Sequence, residues 1–481
     1  MSKAMSDSDS TMKIQFDIHN PQPIYMQIYQ RFRDAIAEGL LKHGDRVPSL
    51  RSLAAELNLA RGTVETAYEM LVGEGYFLPQ GQAGTIIAPF LSEHATPLRR
   101  SGDLAPQKYQ RSRHLSATPP PLSMGLPALD AFPRKLWAKL SCQMIKSATV
   151  ADMGYPSPLG LPSLRAALAA YLNVSRGIQC KPEQVIITDG YRGSLDLICR
   201  AFLQPGQQVW MEDPGYPAAM RLMQAAGGKI IPVPVDQAGI DVSTGLAKAP
   251  QAQMAVVTPS HQSPLGVTLS LERRLMLLEW ATHNQSWIIE DDYDGEYRYA
   301  SRPLPALKSL DVQDRVIYCG AISKVICPGI RLAYMVVPES QVNYVETVCK
   351  IFQNGCPWST QATVAEFITQ GHFSRHLKKM RTLYKQRRHY LVQALQEVFG
   401  SEVRIELQAG GMHLVVRFNK DYHDQYLAHH FNQAGLAVHA LSSWTLQYPC
   451  GQGLIMSFTN VHSLDFARGL AQQMRNITTA H

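Results

Sequence analysis

The sequence predicts an α/β protein of 481 residues, in which a small helical domain is joined by a linker to a much larger domain with a mostly parallel sheet. Residues 21–90 show helical spacing of apolar side chains, and residues 91–122 are rich in Pro, Ser and basic side chains. Residues 123–481 alternate short apolar runs with helix-length segments, the pattern of a parallel sheet. Residues 1–20 are polar and predict a disordered N-terminus.

The composition favours a reduced, cytoplasmic protein. No apolar run approaches the ~18 residues that a membrane helix needs, and the N-terminus lacks the apolar segment of a secretion signal. The 8 cysteines form no CxxC pair and no metal-ligand spacing. The formal net charge is +7, yet residues 1–90 carry 8 Lys/Arg against 10 Asp/Glu. A nucleic acid would therefore have to meet a local basic face of the small domain.

Two short amphipathic segments of the small domain are separated by a tight turn at Asn58. Ser49 is a good cap for the first segment, and the second carries Arg61, Gly62 and Thr63 at its outward-facing start. This arrangement is typical of a helix-turn-helix, whose second helix points its N-terminal side chains at base edges. The run EGYFLPQGQAGTII then predicts two short strands around a Gly/Gln-rich tip, a wing. A three-helix bundle without nucleic acid has the same periodicity and is the alternative.

The small domain resembles the winged helix-turn-helix of the GntR regulator family. The shared features, in order, are Y-x-Q-I, the segment GDRVPSLRSLA, R-x-T-V and L-x-x-E-G-Y. The resemblance implies a double-stranded DNA operator as partner, with Arg51 and Arg61 against phosphate or guanine and Thr63 against phosphate. Glu65 is either an acceptor from cytosine or a solvated carboxylate. The implied DNA-binding set is Ser49, Arg51, Arg61, Gly62, Thr63, Gln80, Gln82 and Gly84.

Several segments of the large domain place reactive side chains after predicted strands. Lys324 follows RVIYCG and has Arg331 seven residues on; it is either a surface lysine or one that forms a Schiff base, which requires a partly desolvated amine. The run WIIEDDYDGEYRY ends a strand in carboxylates, one of which could pair with a pyridinium nitrogen. A metal site built from these carboxylates is the alternative. IITDGYRGSLDL predicts a strand, a glycine turn and a helix start, which together form an anion site.

The motifs EDPGYP, VTPSHQSPLG, IIEDDYDGEYRY, the S-K segment and R-L-x-Y occur in this order within residues 123–475. They resemble fold-type I pyridoxal-phosphate enzymes of the aminotransferase class, and more closely the aminotransferase-like domain of MocR-type regulators. The resemblance implies a fold-type I domain with a mostly parallel sheet, a small C-terminal α+β subdomain and pyridoxal 5'-phosphate as cofactor.

The resemblance also assigns roles to nine positions. Lys324 would form the Schiff base with the cofactor and act as the catalytic residue. Asp291 would pair with the pyridinium nitrogen, with Asp292 as the fallback, and Tyr293 would bond the phenolate oxygen. Tyr216 would stack on the ring, and Arg331 and the amides of Tyr191 and Arg192 would bind the phosphate. Tyr155 would reach the phosphate from the partner subunit of a homodimer. Ser263 takes the place of the asparagine of N-P-T-G loops. No metal is expected.

The chain departs from the aminotransferase pattern at further positions. Ala321 stands where a phosphate-binding hydroxyl is common. Ile455, in LIMSF, takes the place of the arginine that holds the substrate α-carboxylate, and no arginine lies between Arg417 and Arg468. An unpaired carboxylate in a desolvated pocket is unfavourable, so this departure favours a sensor over a working transaminase.

The sequence therefore predicts a DNA-binding transcription regulator whose large domain binds pyridoxal 5'-phosphate through a lysine Schiff base and senses an effector. The expected effector is the cofactor itself or an adduct of it with an amine or amino acid. The missing arginine favours the cofactor itself or an amine that lacks an α-carboxylate. An active pyridoxal-phosphate aminotransferase with an accessory DNA-binding domain is the alternative. Nonspecific DNA binding should depend on the basic side chains of the linker, namely Arg99, Arg100, Arg111 and Arg113.

Overall fold

The computed structural model describes residues 22–89, 119–299, 305–419 and 422–479. The chain divides into two compact units, Met1–His114 and Leu115–His481. The expected disordered N-terminus and most of the expected linker, with its four arginines, lie outside the described residues. Among the described helices, none is long and apolar enough to cross a membrane.

The small unit is a three-helix domain with a three-stranded antiparallel sheet of order β1-β3-β2. Its elements are α1 (Ile24–Ala37), β1 (Arg46–Val47), α2 (Leu50–Glu56), α3 (Arg61–Gly73), β2 (Phe77–Pro79) and β3 (Thr85–Ile87). Phe32, Tyr68 and Phe77 form an edge-to-face cluster at the centre of its core, with ring centroids 5.0–5.8 Å apart. Asn58 has a φ of 51°, which makes the tight turn between α2 and α3. The predicted helix-turn-helix and wing are therefore present.

The large unit contains twelve helices and twelve strands within its described residues. The helices are α4 (Arg134–Ser147), α5 (Pro162–Arg176), α6 (Tyr191–Phe202), α7 (Pro217–Ala225), α8 (Val242–Lys248), α9 (Leu271–Asn284), α10 (Ile322–Val325), α11 (Val342–Phe352), α12 (Trp358–Thr369), α13 (His372–Phe399), α14 (Asp424–Gln433) and α15 (Leu464–Thr479). The strands are β4 (Val185–Thr188), β5 (Gln208–Asp213), β6 (Lys229–Asp236), β7 (Gly239–Ile240), β8 (Met254–Val257), β9 (Trp287–Asp292), β10 (Val316–Gly320), β11 (Ala333–Val336), β12 (Val403–Glu406), β13 (His413–Phe418), β14 (His439–Ala440) and β15 (Leu454–Ser457).

Eight strands form the central sheet, in the order β4-β11-β10-β9-β8-β5-β6-β7. Six of them run in one direction, and only β11 and β7 run the other way. The runs QVIIT, QVWMED, MAVVT, WIIED and RVIYCG form β4, β5, β8, β9 and β10, as expected. These strands are apolar throughout because both faces of the sheet are covered. In β9, Ile288 packs in one core cluster and Ile289 packs in another on the opposite face.

The four remaining strands form a separate antiparallel sheet, of order β12-β13-β15-β14. It packs with α13, α14 and α15 as the small C-terminal α+β subdomain. The predicted α/β architecture, with a mostly parallel sheet and this subdomain, is confirmed.

Candidate functional site

The large unit contains a cavity of about 720 Å³, walled by the residues that follow β4, β9 and β10. This edge of a parallel sheet is where α/β proteins bind ligands. Eight of the nine positions assigned to a cofactor line the cavity, namely Lys324, Asp291, Tyr293, Tyr216, Arg331, Tyr191, Arg192 and Ser263. Tyr155 is not among the lining residues and is fully exposed.

Lys324 lies on the short helix α10, immediately after β10. Burial lowers the pKa of its amine, while the charges of Asp291 and Asp294 act in the opposite direction. The Nζ atom donates a hydrogen bond to the carbonyl oxygen of Gly125 at 3.0 Å. Gly125 has a φ of +73°, and a Cβ at that position would lie 2.3 Å from Nζ. Desolvation of this kind increases the neutral fraction of an amine, and the neutral amine is the nucleophile.

Asp291 is the penultimate residue of β9, and its carboxyl group lies in the cavity wall, 6% exposed. Burial raises the pKa of this carboxyl to about 7, although the hydroxyl of Tyr191 and the charge of Lys324 lower it. A carboxyl group that burial has removed from solvating water can accept a proton or a hydrogen bond from a cationic ring nitrogen.

Asp292, the fallback for that role, points to the other face of the sheet. It forms a buried ion pair with Arg176 and accepts a hydrogen bond of 2.6 Å from the Tyr318 hydroxyl. Glu290 lies on the same side and accepts the amides of Leu307 and Lys308, each at 2.8 Å. The fallback assignment is therefore wrong, because side chains alternate along a strand. For the same reason Asp291 lies on the opposite face of the sheet from Glu290 and Asp292.

An anion cradle lies where β4 leads into α6. Gly190 has a φ of 122°, which few residues other than glycine adopt, and a Cβ there would lie 3.3 Å from the Arg331 guanidinium. The amides of Tyr191 and Arg192, in the first turn of α6, have no intrahelical acceptor and lie at the positive end of the helix dipole. Arg331 and Arg192 form no ion pair with any described carboxylate. The cradle fits a phosphate group.

Aromatic rings form the wall opposite the cradle. Tyr216, at the start of α7, lies between Tyr191 and Trp444, with ring centroids 6.5 and 6.0 Å away. Ile455 is fully buried beneath Trp444, together with Val415. The position that the sequence resemblance matches to the substrate arginine of aminotransferases is therefore part of an apolar cluster here and is not among the cavity-lining residues.

Sequence reasoning missed several residues of this wall. Arg221 on α7 lines the cavity, is exposed, and pairs with no described carboxylate. The small subdomain contributes a further set, namely Met412, His413, His439, Ser443 and Trp444. The sequence signal for Arg221 is its place one helical turn after the EDPGYP motif; the others follow no motif.

Tyr293 contacts polar groups behind the cavity wall. Its hydroxyl lies 2.9 Å from Nδ1 of His261, and Asp294 lies 3.1 Å from the same nitrogen. Burial raises the pKa of the Tyr293 phenol well above its usual value, so the hydroxyl keeps its proton, and Ser263 lies close to it. Ser263 is itself 5% exposed.

The predicted DNA-binding residues lie mostly at the surface of the small unit. Arg51 is in the first turn of α2 and Arg61 begins α3; both are exposed and neither pairs with a described carboxylate. Thr63 is half-buried, and the Ser49 hydroxyl caps α2 by accepting the Ser52 amide at 3.1 Å. The exposed wing tip is closed by a 2.7 Å hydrogen bond from the Gln80 amide to the Gly84 carbonyl, and it contains Gln80, Gln82 and Gly84. Gly62 is exposed as well.

Comparison with known proteins places both units in families. Residues 24–87 match the family "Bacterial regulatory proteins, gntR family", and residues 122–452 match "Aminotransferase class I and II". The probable rhizopine catabolism regulatory protein MocR of Rhizobium meliloti is 33% identical over 457 residues, which cover 93% of this chain and 92% of that protein. The chain belongs to the MocR-type regulators of the GntR family. The pyridoxine biosynthesis regulator PdxR of Corynebacterium glutamicum is 32% identical, over 93% of this chain and 94% of its own length.

The large unit of this MocR-type regulator is also similar to solved aminotransferases. The kynurenine aminotransferase of Pyrococcus horikoshii, solved in complex with PMP, has a TM-score of 0.67 and 26% identity; the match covers 75% of this chain and 92% of that one. The chain is thus a transcriptional regulator with a GntR-type DNA-binding domain and an aminotransferase-like domain.

We expect Asp291 and Glu212 to contribute a loss of stability as the pH rises from about 4 to about 7. Burial raises the pKa of both carboxyls to about 7. In this range the two carboxyls hold protons in the folded chain that they have released in the unfolded chain, so their contribution to the free energy of unfolding falls with rising pH. Asp291→Asn should remove part of the slope, whereas Asp465→Asn, at an exposed side chain, should leave it unchanged.

The measurement is thermal unfolding followed by tryptophan fluorescence, since all 6 tryptophans lie in the large unit. A slope in Asp291→Asn as steep as in the parent protein would contradict the assignment of a raised pKa to this carboxyl.

Proposed function

We propose that this regulator binds operator DNA through its winged helix-turn-helix and pyridoxal 5'-phosphate in the cavity of its large unit, and that the state of the cavity controls transcription. The cofactor would be held through a Schiff base with Lys324. One observation carries the proposal: a desolvated amine, a buried carboxyl, a phenol and an anion cradle line the same cavity.

The dimensions and chemistry of the cavity support the cofactor. Its volume of about 720 Å³ exceeds what one substituted pyridine ring with a phosphate needs. Arg331 and the α6 amides would hold the phosphate, Tyr216 would cover one ring face, and Asp291 would meet the ring nitrogen. When bound, the cofactor supplies an aldehyde that reacts with amines and a ring that accepts electrons. The name of the relative PdxR and the PMP in the Pyrococcus structure point to the same ligand chemistry.

The effector we propose is the cofactor itself, or an amine without an α-carboxylate. A carboxylate next to the amine would need a cation at the position of Ile455, and that side chain is buried among apolar groups. Charge-assisted pairing of a carboxylate with arginine orients an amino acid for proton removal. Without it, an amine can be bound without efficient transamination.

We also propose a homodimer. Tyr155 lies outside the cavity-lining set of its own chain and is fully exposed, and two other apolar side chains of the same loop, Val150 and Met153, are 92% and 66% exposed. Adjacent exposed apolar groups of this size favour burial against a partner. A second copy of the chain would cover them and bring its tyrosine towards the phosphate cradle.

An aminotransferase with an accessory DNA-binding domain is the second candidate. Arg221 is the observation in its favour, because it provides a cation at the cavity wall that pairs with no described carboxylate.

Lys324→Ala should abolish covalent retention of the cofactor without unfolding the protein. After incubation with pyridoxal 5'-phosphate and borohydride, the parent chain should gain the mass of one reduced cofactor, and the variant should gain none. Lys350→Ala removes a surface lysine that pairs with Glu346 and should behave as the parent. Full labelling of Lys324→Ala would show that another lysine binds the aldehyde.

Arg51→Ala and Arg61→Ala should each weaken operator binding. Loss of a base-edge contact costs roughly 1–3 kcal/mol and relaxes specificity at one base pair, whereas loss of a phosphate contact weakens all sequences alike. The measurement is fluorescence anisotropy at fixed salt, with DNA selected by the protein from a random pool and with a scrambled duplex. Arg31→Ala, at an exposed residue of α1, is the charge-matched control. Unchanged affinity in both variants would contradict the proposal that this face of the helix-turn-helix binds the operator.

Common α-amino acids should convert the bound cofactor to pyridoxamine 5'-phosphate negligibly. The test is rapid mixing of the loaded protein with a panel of amino acids and of amines that lack a carboxylate, followed by absorbance. Complete, fast conversion by any α-amino acid would favour the aminotransferase. If Arg221→Gln then abolished that conversion, Arg221 would be the carboxylate-binding cation.

A further inference from the structure

Three side chains form a buried hydrogen-bonded group behind the wall of the cavity. Nδ1 of His261 lies 2.9 Å from the Tyr293 hydroxyl and 3.1 Å from Oδ1 of Asp294. His261 is 7% exposed and Asp294 is 1% exposed. Of the three, only Tyr293 lines the cavity.

The contacts determine which nitrogen of His261 carries a proton. A carboxylate only accepts hydrogen bonds, so Nδ1 has to be protonated to face Asp294 at this distance. Nε2 is buried and has no partner among the described residues, and a buried N–H without an acceptor costs more than an unused lone pair. Nδ1 therefore carries a proton, which it shares between Asp294 and Tyr293. The oxygen of Tyr293 accepts from that N–H, and its own proton points away from the ring.

Two glycines hold the imidazole in this position. Gly266 and Gly411 have φ values of +71° and +87°, and a Cβ at either position would lie 2.9 or 2.4 Å from Nε2 of His261. The ring of His413 adds a contact, with its centroid 5.3 Å away. The backbone at these two glycines thus packs against the edge of the imidazole, and Nδ1 faces Tyr293.

We infer that His261, held by Asp294, orients the Tyr293 hydroxyl as a hydrogen-bond donor into the cavity, towards the phenolate oxygen of bound pyridoxal 5'-phosphate. The inference rests on the proposed function, which supplies the acceptor. His261 does not line the cavity, so it is a positioning residue. A fixed donor at the phenolate stabilises the negative charge that grows when the neighbouring imine nitrogen loses its proton. It thereby lowers the pH at which the absorbance of the bound cofactor changes.

The readout is the pH midpoint of the absorbance change of the bound cofactor. His261→Leu and Tyr293→Phe should each raise that midpoint by about one pH unit or more, as expected for a lost hydrogen bond to a charged group. The double variant should shift it no further than Tyr293→Phe alone, because His261 acts through Tyr293. His261→Asn, whose amide N–H replaces the Nδ1 donor, should keep the midpoint near that of the parent.

Asp294→Asn provides an independent test that leaves the imidazole in place. An amide can donate to Nδ1, which moves the imidazole proton to Nε2 and lets Tyr293 donate to His261 instead of to the cofactor. We therefore expect a raised midpoint here too, even if His261→Leu does not fold. The other titratable groups around the site are Asp291, Glu212, His413 and Lys324, and they are the same in all variants.

The outcomes separate this inference from the proposed function. Borohydride labelling and the melting temperature are measured for each variant first. If the parent binds the cofactor and Tyr293→Phe shifts the midpoint while Asp294→Asn and every folded His261 variant do not, the positioning role is wrong and the proposed function stands. If Tyr293→Phe has no effect, Tyr293 is not the donor and the inference fails. If the parent is not labelled, the proposed function fails and the inference with it.

Discussion

The carboxyl end of β9 has to accommodate several acidic side chains in a buried position, and their separation determines the layout of the large unit. Asp292 and Glu290 are satisfied on one face of the sheet, by Arg176 and by backbone amides. Asp291 is left on the other face, where the described contacts give it a phenol and a distant amine but no ion pair. Because side chains alternate along β9, two carboxylates form stabilising contacts within the protein and one remains available to a ligand.

Charged and titratable groups of the cavity lack partners among the described residues. Arg331 and Arg192 meet no described carboxylate, and Asp291 retains its proton at pH values where a solvated carboxyl would be ionised. A ligand with an anionic group at one end and a cationic ring nitrogen at the other would supply the missing partner to each. Binding such a ligand therefore relieves unfavourable burial as well as adding contacts.

The sequence predicted most of the fold because the apolar runs of β4, β5, β8, β9 and β10 are short, separate and bounded by turn residues. It also predicted the set of cavity residues that lie in motifs after those strands. It assigned the ring nitrogen to Asp291 but kept Asp292 as a fallback, since one residue of register decides which face each side chain takes. It did not predict that Trp444 and His439 line the cavity. Both belong to the small C-terminal subdomain and follow Arg331 by more than a hundred residues.

The sequence could not predict the residues that orient Tyr293, for a different reason. His261 and Asp294 lie in the motifs VTPSHQSPLG and IIEDDYDGEYRY, but their contact depends on the distance between two loops. The glycines that hold the imidazole lie well apart in the chain, at 266 and 411. Motif reasoning identifies the residues that touch a ligand more readily than those that orient them.

The contact between Gly125 and Lys324 limits where a fragment that contains the large unit can begin. The two residues are 199 positions apart, and the carbonyl of one is the hydrogen-bond acceptor for the amine of the other. Gly125 also lies in the first described stretch after the linker. A fragment that starts downstream of residue 125 would lack part of the cavity wall, so the N-terminal limit of a fragment with an intact cavity is set by the contact with Lys324 rather than by the boundary of the sheet.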